Sequence, residues 1–303
     1  MTDIYAHLGD KRVPIGVIGG SGLYKMDGID VLETVQVDTP FGPTSAPITI
    51  AEIGGRRVAF LPRHGLHHEY VASNVPYRAN IWALKKLGVF WCVAVNAVGS
   101  LAEEIVPGEH FVIPDQTIDK TYSRPHTLYD DVTVHVGLSY PFHPMLREIL
   151  LDACRAEGIE THDGATLICM EGPAFSTRAE SELHRSWGAK LVGMTSMPEA
   201  RFAREAEICY ATIALPTDYD VWRDADAVDV SDVMQNMKRN LLRVHGVLKR
   251  VIPSIDLQRE QQCDAGRALE YAIMTHPSAI SPSTLEEFRI TIGKYISHSH
   301  RAE

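Results

Sequence analysis

No stretch of the chain reaches the roughly 18 apolar residues of a membrane span, and the opening MTDIYAHLGDKRVP has no basic segment leading into an apolar run. Neither insertion nor export is expected, which leaves the cytoplasm as the expected compartment. Positive charge is also short. The 29 Lys and Arg residues stand against 39 Asp and Glu, a formal net charge of −10, so the clustered cations that grip DNA, RNA or anionic lipid are missing. A small anion held in a local pocket stays open. The five cysteines (Cys92, Cys154, Cys169, Cys209, Cys263) are odd in number, scattered and not at metal-ligand intervals. That usage suits a reducing compartment.

The chain does have the means to build a core, with 45% hydrophobic and 22% charged residues over 303 positions. Short β-branched runs alternate with helical patterns. VAFLP (58–62) is followed by the helical PYRANIWALKKLG (76–88) and then by VFWCVAV (89–95). Strand, helix, strand is the signature of a parallel sheet, and the fold class is α/β. Further strands are expected at 15–19, 110–114, 166–170, 190–194 and 208–215, with helices at 145–157, 178–187, 198–207 and 230–250. No linker or repeat divides residues 15–253, which read as one domain behind an extension of residues 1–14. Beyond Pro253 the chain turns polar through QREQQCDAG, then regains helical character near 269–274 and 284–296. Residues 254–303 read as a helical tail, either a surface appendage or a subunit contact.

Polar motifs directly follow several of these strands, where α/β folds collect ligands. VIGGSGL (17–23) offers tight glycine turns and the Ser21 hydroxyl, but lacks the G-x-G-x-x-G spacing of a dinucleotide site. LPRHG (61–65) supplies the donor fork of Arg63 with His64 beside it. The neighbouring His67 and His68 have no acidic or cysteine partner at a metal-binding interval. In VNAVGS (95–100), Asn96 and the Ala97 amide are candidate anion donors. VGMTSMPE (192–199) sets Thr195 at a helix start, again suited to an anion. EGPAFSTRAE (171–180) carries hydroxyls that helix capping explains and an exposed Phe175 that it does not; a ring there can stack on a planar base. LPTDYDVW (215–222) carries Asp218 and Asp220, on one face if the segment is extended. In a closed pocket, lost solvation and mutual repulsion would raise a carboxyl pKa and leave a proton donor near neutral pH, whereas at a surface the pair would only cap or form ion pairs.

As an ordered set, VIGGSGL, DTPFGPTS, RHG, YRANIWALKKLG, NAVGSL, EGPAFSTRAE, MTSMPEA and TDYDVW resemble the trimeric purine nucleoside phosphorylases, and among them the branch acting on 5′-methylthioadenosine. The resemblance implies a single-domain phosphorylase-type fold with a central mixed sheet flanked by helices. It implies a phosphate site of Ser21, Arg63, His64, Asn96, Ala97 and Thr195, with Met194 at the ribose. Phe175 and Ser176 would lie beside the base, and Asp218 and Asp220 at the purine N7 and exocyclic amine as the catalytic acids. His135, Val230, Val233, Met234 and Met274 would line the 5′ pocket, Met274 from a neighbouring subunit of a homotrimer. Phosphate is then a co-substrate, and no cofactor or metal is implied. Asn96 and Gly193 depart from the mammalian-type pattern of threonine and asparagine. Three rivals stay open: a 5′-halo-5′-deoxyadenosine or broader purine nucleoside phosphorylase, a water-using nucleosidase, and a non-catalytic purine-binding protein.

Overall fold

The computed structural model describes residues 5–20, 22, 23, 26, 28–223 and 230–299. Eleven strands form one sheet: β1 (Ile15–Gly19), β2 (Asp30–Val35), β3 (Ile48–Ile53), β4 (Arg56–Pro62), β5 (Trp91–Ser100), β6 (Phe111–Ile113), β7 (Gln116–Lys120), β8 (Thr161–Asp163), β9 (Thr166–Met170), β10 (Leu191–Gly193) and β11 (Cys209–Asp218). The α-helices among the described residues are α1 (Tyr77–Lys86), α2 (Pro144–Ala156), α3 (Arg178–Ser186), α4 (Ser196–Glu205), α5 (Val230–Ser254), α6 (Pro282–Glu287) and α7 (Gly293–Ser299). No helix among the described residues is long and apolar enough to cross a membrane.

The strand order β2-β3-β4-β1-β5-β10-β9-β7, with β11 on β5, makes the sheet mixed, as expected. Its centre is parallel. β1 lies between β4 and β5, and β11 runs beside β5 over its whole length, so the carboxyl ends of β1, β4, β5 and β11 open side by side. One edge of β5 changes partner midway. Residues 91–94 pair with β1 and residues 99–100 with β10, antiparallel, which leaves Val95–Val98 without a strand on that edge. Such a change of neighbour opens a crevice at the carboxyl end of a sheet. β5 is buried throughout except at Ala97 and, in part, Gly99.

The helices expected before Pro253 are all present with small shifts at their ends. α1 packs on α4, and α2 on α5. Sequence patterning missed four strands, of which β2 (DVLETV) is exposed almost throughout and β7 (QTIDK) is only partly buried, so neither carries a strong apolar signal. It also ended β5 and β11 too early. Pairing between them continues through Asp218 and Gly99, so NAVGS and PTD lie within strands rather than after them.

The tail is not a surface appendage. Leu269 and Ile292 are fully buried, and Phe288 meets Trp82 and Tyr129 at ring-centroid distances of 5.4 and 5.1 Å. Residues 269–274 form turns rather than a helix, and 284–296 is split between α6 and α7. The polarity of QREQQCDAG hides the buried Cys263 and Ala265, which face inward from short 3-10 segments.

Candidate active site

At the carboxyl end of the central strands three of the expected anion donors form one hydrogen-bonded unit. Asn96 Nδ2 donates to Thr195 Oγ1 at 2.6 Å. Asn96 Oδ1 accepts from Thr212 Oγ1 at 2.7 Å and lies 3.5 Å from Arg63 Nη2. The amide is therefore held in one orientation, with a second N–H still to be used. All three side chains are buried, and Thr195, at the N-cap of α4, accepts from Asn96 through Oγ1, which leaves its hydroxyl hydrogen to donate. Ala97 opens from the same strand. Ser21 lies outside the described residues.

Arg63 differs from the expected phosphate fork. Its Nε and Nη2 both donate to Glu199, each at 2.8 Å, and Nη1 donates to Val95 O, filling part of the unpaired edge of β5. The fork is turned to a carboxylate inside the protein, leaving one Nη1 hydrogen for a ligand. Burial alone would weaken the guanidinium's hold on its proton; Glu199 reverses this and raises the pKa above its ordinary value. Glu199 is itself fully buried and accepts from Tyr210 Oη at 2.8 Å.

His64 differs in the sense of its hydrogen bonding. Nδ1 meets Tyr70 O at 2.9 Å, which places a proton on Nδ1. Burial, then the Arg63 cation, push the imidazole down to about 4. Near neutral pH Nε2 is thus an acceptor, suited to the O–H of a monoprotonated phosphate rather than to a bare oxyanion. His68 stacks on the ring at 4.4 Å.

On β11, Asp218 Oδ2 accepts from Thr217 Oγ1 at 2.7 Å and Oδ1 from the Asp220 amide at 2.8 Å. Asp220 lies beyond the strand with φ 53°, so the extended geometry expected for the pair does not occur; a short side-chain-to-backbone turn joins them instead. Burial raises both carboxyl pKa values, and repulsion from Asp218 adds only a lesser push at Asp220. Asp220 Oδ2 is buried with no hydrogen-bond partner, although Ser181 and Ser176 approach the carboxyl. Gly99 lets this loop close on the sheet, since a Cβ there would sit 3.1 Å from Asp218 Oδ1 and 3.0 Å from Val192.

The EGPAFSTRAE loop meets Asp220 through Ser176, which is buried, while Phe175 is 55% exposed. Thr177 caps α3 in a reciprocal box with Glu180, so the capping explanation of the hydroxyls holds at Thr177 and leaves Ser176 free. Gly172, at φ 71°, brings the loop against Met194, whose sulfur would be 2.6 Å from an added Cβ. At Gly193 a side chain would first meet Val98, at 3.2 Å.

Sequence reasoning missed the groups that hold these loops. Arg124, fully buried, donates to the carbonyls of Glu171, Met194 and Met197 at 2.7, 2.6 and 2.7 Å and pairs with the Glu171 carboxylate. It ties the EGPAFSTRAE loop, Met194 and the start of α4 together. Burial alone would raise the Glu171 carboxyl, but the amides of Tyr122 and Ser123, the Ser123 hydroxyl and Arg124 hold it down at about 2. Arg124 sits in SRPH and Glu199 inside a helix start, neither at a legible strand end.

The expected 5′ pocket is only loosely assembled. Asn236 and Asn240 of α5 donate to the carbonyls of Thr217 and Pro216, which fixes the helix beside Asp218. Val233 is half-buried and Met234 is 51% exposed; the side chain of Val230 lies outside the described residues. His135 and Met274 flank the antiparallel bridge Val134–Ile273, His135 bonded to Ala272 O and Met274 to Thr133 O, and Met274 is 52% exposed.

This fold has known counterparts. Residues 14–253 match the family model of the phosphorylase superfamily, and the chain belongs to that superfamily. Among its relatives is the S-methyl-5′-thioadenosine phosphorylase of Geobacter sulfurreducens, 47% identical over 285 residues that cover 93% of this chain and 99% of that protein. The Thermofilum pendens enzyme of the same name is 48% identical over 265 residues, 87% of this chain and all of that protein. Among solved structures, a methylthioadenosine phosphorylase from an antarctic soil metagenomic library superposes with a TM-score of 0.86 at 42% identity, over 92% of this chain and 99% of that one. The Schistosoma mansoni methylthioadenosine phosphorylase in complex with adenine gives 0.81 at 32% identity, over 87% and 99%.

Proposed function

We propose that the chain catalyses phosphorolysis of 5′-methylthioadenosine, or a closely related 5′-deoxy-5′-substituted adenosine, to adenine and the 5-substituted ribose 1-phosphate. The observation that carries this reading is the joining of Asn96, Thr195 and Arg63 on one side of a crevice whose other side is formed by two desolvated aspartates. An anion site and an acid site at adjacent strand ends are what a nucleoside and phosphate require. The names of the relatives support the same substrate.

In the proposed reaction, phosphate is held by the free N–H of Asn96, the Thr195 hydroxyl, the Ala97 amide, the remaining Nη1 hydrogen of Arg63 and Ser21. His64 Nε2 accepts the phosphate O–H and so turns an unprotonated oxygen towards the sugar. That oxygen forms a bond to C1′ as the bond from C1′ to N9 breaks, and the electron pair goes to the purine. The sugar carries positive charge in the transition state, as in glycoside hydrolysis, with Met194 beside the ribose. Asp218 gives its proton to N7, while its carboxylate accepts from the 6-amino group; Asp220 and Ser176 hold the base edge and Phe175 stacks on its face. A carboxyl at this position suits a 6-aminopurine, since an amide would suit a 6-oxopurine. Residues 15–253 form the catalytic unit in this reading. The assembly is a homotrimer in which Met274 and His135 serve a neighbour's 5′ pocket.

Initial rates of 5′-methylthioadenosine cleavage, with and without inorganic phosphate, test the reading. Release of 5-methylthioribose 1-phosphate only when phosphate is present is the expected result. Equal rates yielding free sugar would make the protein a nucleosidase, and no turnover of any 5′-substituted adenosine would leave only binding.

A further inference from the structure

Outside this crevice the protein holds a second group of reactive side chains for which phosphorolysis has no use. Cys209 begins β11, His143 precedes α2 and Cys263 lies in the tail; their ligand atoms fall within 4.8 Å of one another and all three residues are buried. His143 Nδ1 accepts the Met145 amide at 3.2 Å, so the ring keeps its proton on Nε2. That nitrogen lies 2.6 Å from Asp264 Oδ1 and 3.4 Å from Cys263 Sγ. A proton at this position disfavours a metal ion, which needs a bare nitrogen, and favours a hydrogen bond to a thiolate.

The two cysteines are unlike each other. The Cys209 thiol interacting with it, and His143 beside it, hold the Cys263 pKa down at about 5. Burial pushes Cys209 well above its ordinary value. One sulfur is thus a nucleophile near neutral pH and the other a protonated partner at its side. Asp264, 65% exposed in the single subunit, lines an open surface cleft with Arg204 and Arg267 at the edge of the group.

We propose that Cys209 and Cys263 form an oxidisable dithiol that a peroxide converts to a disulfide, stapling the tail to the strand that carries Asp218. The Cys263 thiolate attacks one peroxide oxygen, the O–O bond breaks and hydroxide leaves, giving a sulfenic acid. Cys209 sulfur then attacks that sulfur, and its proton combines with the departing hydroxide as water. In total two thiols and one hydrogen peroxide give one disulfide and two waters.

The test uses the full-length chain, purified reduced, freed of reductant and exposed to hydrogen peroxide. Peptide mass spectrometry is expected to find residues 209 and 263 cross-linked, with Cys92, Cys154 and Cys169 still free. The unfolding midpoint is expected to rise by about 5–10 °C and to fall back with dithiothreitol, as closing a loop of this length predicts. Cys209→Ser is expected to leave a dimedone-reactive sulfenic acid at Cys263. Oxidation of Cys263 to sulfinic acid without a cross-link in the unaltered protein would overturn the proposal, as would both thiols staying free. Co-purification of one equivalent of zinc, lost in Cys263→Ser, would assign the group to a metal instead.

Discussion

The two walls of the crevice are built on different principles. On the proposed phosphate side Asn96 is bonded to Thr195 and Thr212 within the protein, and Arg63 to Glu199, which Tyr210 also holds. On the nucleoside side, Asp220 has a buried oxygen without a hydrogen bond, Phe175 stands half in solvent and Met234 is exposed. The first wall is tied together by bonds within the protein; the second offers groups whose partners the proposed nucleoside would supply. In the proposed reaction the phosphate is common to every turnover whereas the base and 5′ substituent vary, and the internally bonded wall is the one assigned to the phosphate.

The strongest challenge to that contrast is at Glu199. Glu199→Leu leaves a buried guanidinium unpaired, and a loss of about 3–5 kcal/mol in urea unfolding is expected. Glu199→Gln is expected to fold and to raise the KM for phosphate with little change in the KM for nucleoside; a rise in both would mean that the walls are not independent. Next comes Asp218→Asn, for which loss of a general acid predicts a fall in kcat on 5′-methylthioadenosine of about 100- to 10,000-fold, with preference moving towards inosine-type substrates. Because burial raises the Asp218 pKa, its acid form persists to higher pH than that of an exposed aspartate and is lost as pH rises through the raised value. The pH–kcat profile of the unaltered enzyme is therefore expected to fall on its alkaline side, and Asp218→Asn to remove that limb; an unchanged limb would assign the proton to another group.

Smaller effects sharpen the comparison. Asn96→Ala removes one hydrogen bond to a charged ligand, and a rise in phosphate KM of about 10- to 100-fold is expected from the 1.5–3 kcal/mol such bonds contribute. Phe175→Ala is expected to raise the nucleoside KM by about 5- to 10-fold, near the lower end of what base stacking on an aromatic ring provides, and to leave phosphate binding unmoved. Steady-state kinetics with each substrate varied in turn read both.

The strand–helix alternation and the motifs at strand ends were legible because the central strands are buried on both faces and so read as unbroken apolar runs. Arg63, Asn96 and Thr195 could be found because polar residues directly after such runs are conspicuous. Their partners could not. Glu199 looks like an ordinary acidic residue in a first helical turn, and Arg124 lies in an irregular segment with no periodicity, although one fixes Arg63 and the other ties three loops. Strands β2 and β7 stayed hidden because exposure erases the alternation that marks a strand. The left-handed Asp220 was invisible too, since its conformation follows from the turn that Asp218 accepts, not from its own side chain.

The burial of the tail has a consequence for where the domain can be cut. Phe288 meets Trp82 and Tyr129, and Ile292 and Ile296 belong to the same core. A variant truncated after Pro253 would leave those rings without this cover and present exposed aromatic surface of the kind that promotes aggregation. The stretch past the family-matched region is thus part of the folding unit and not an accessory to it.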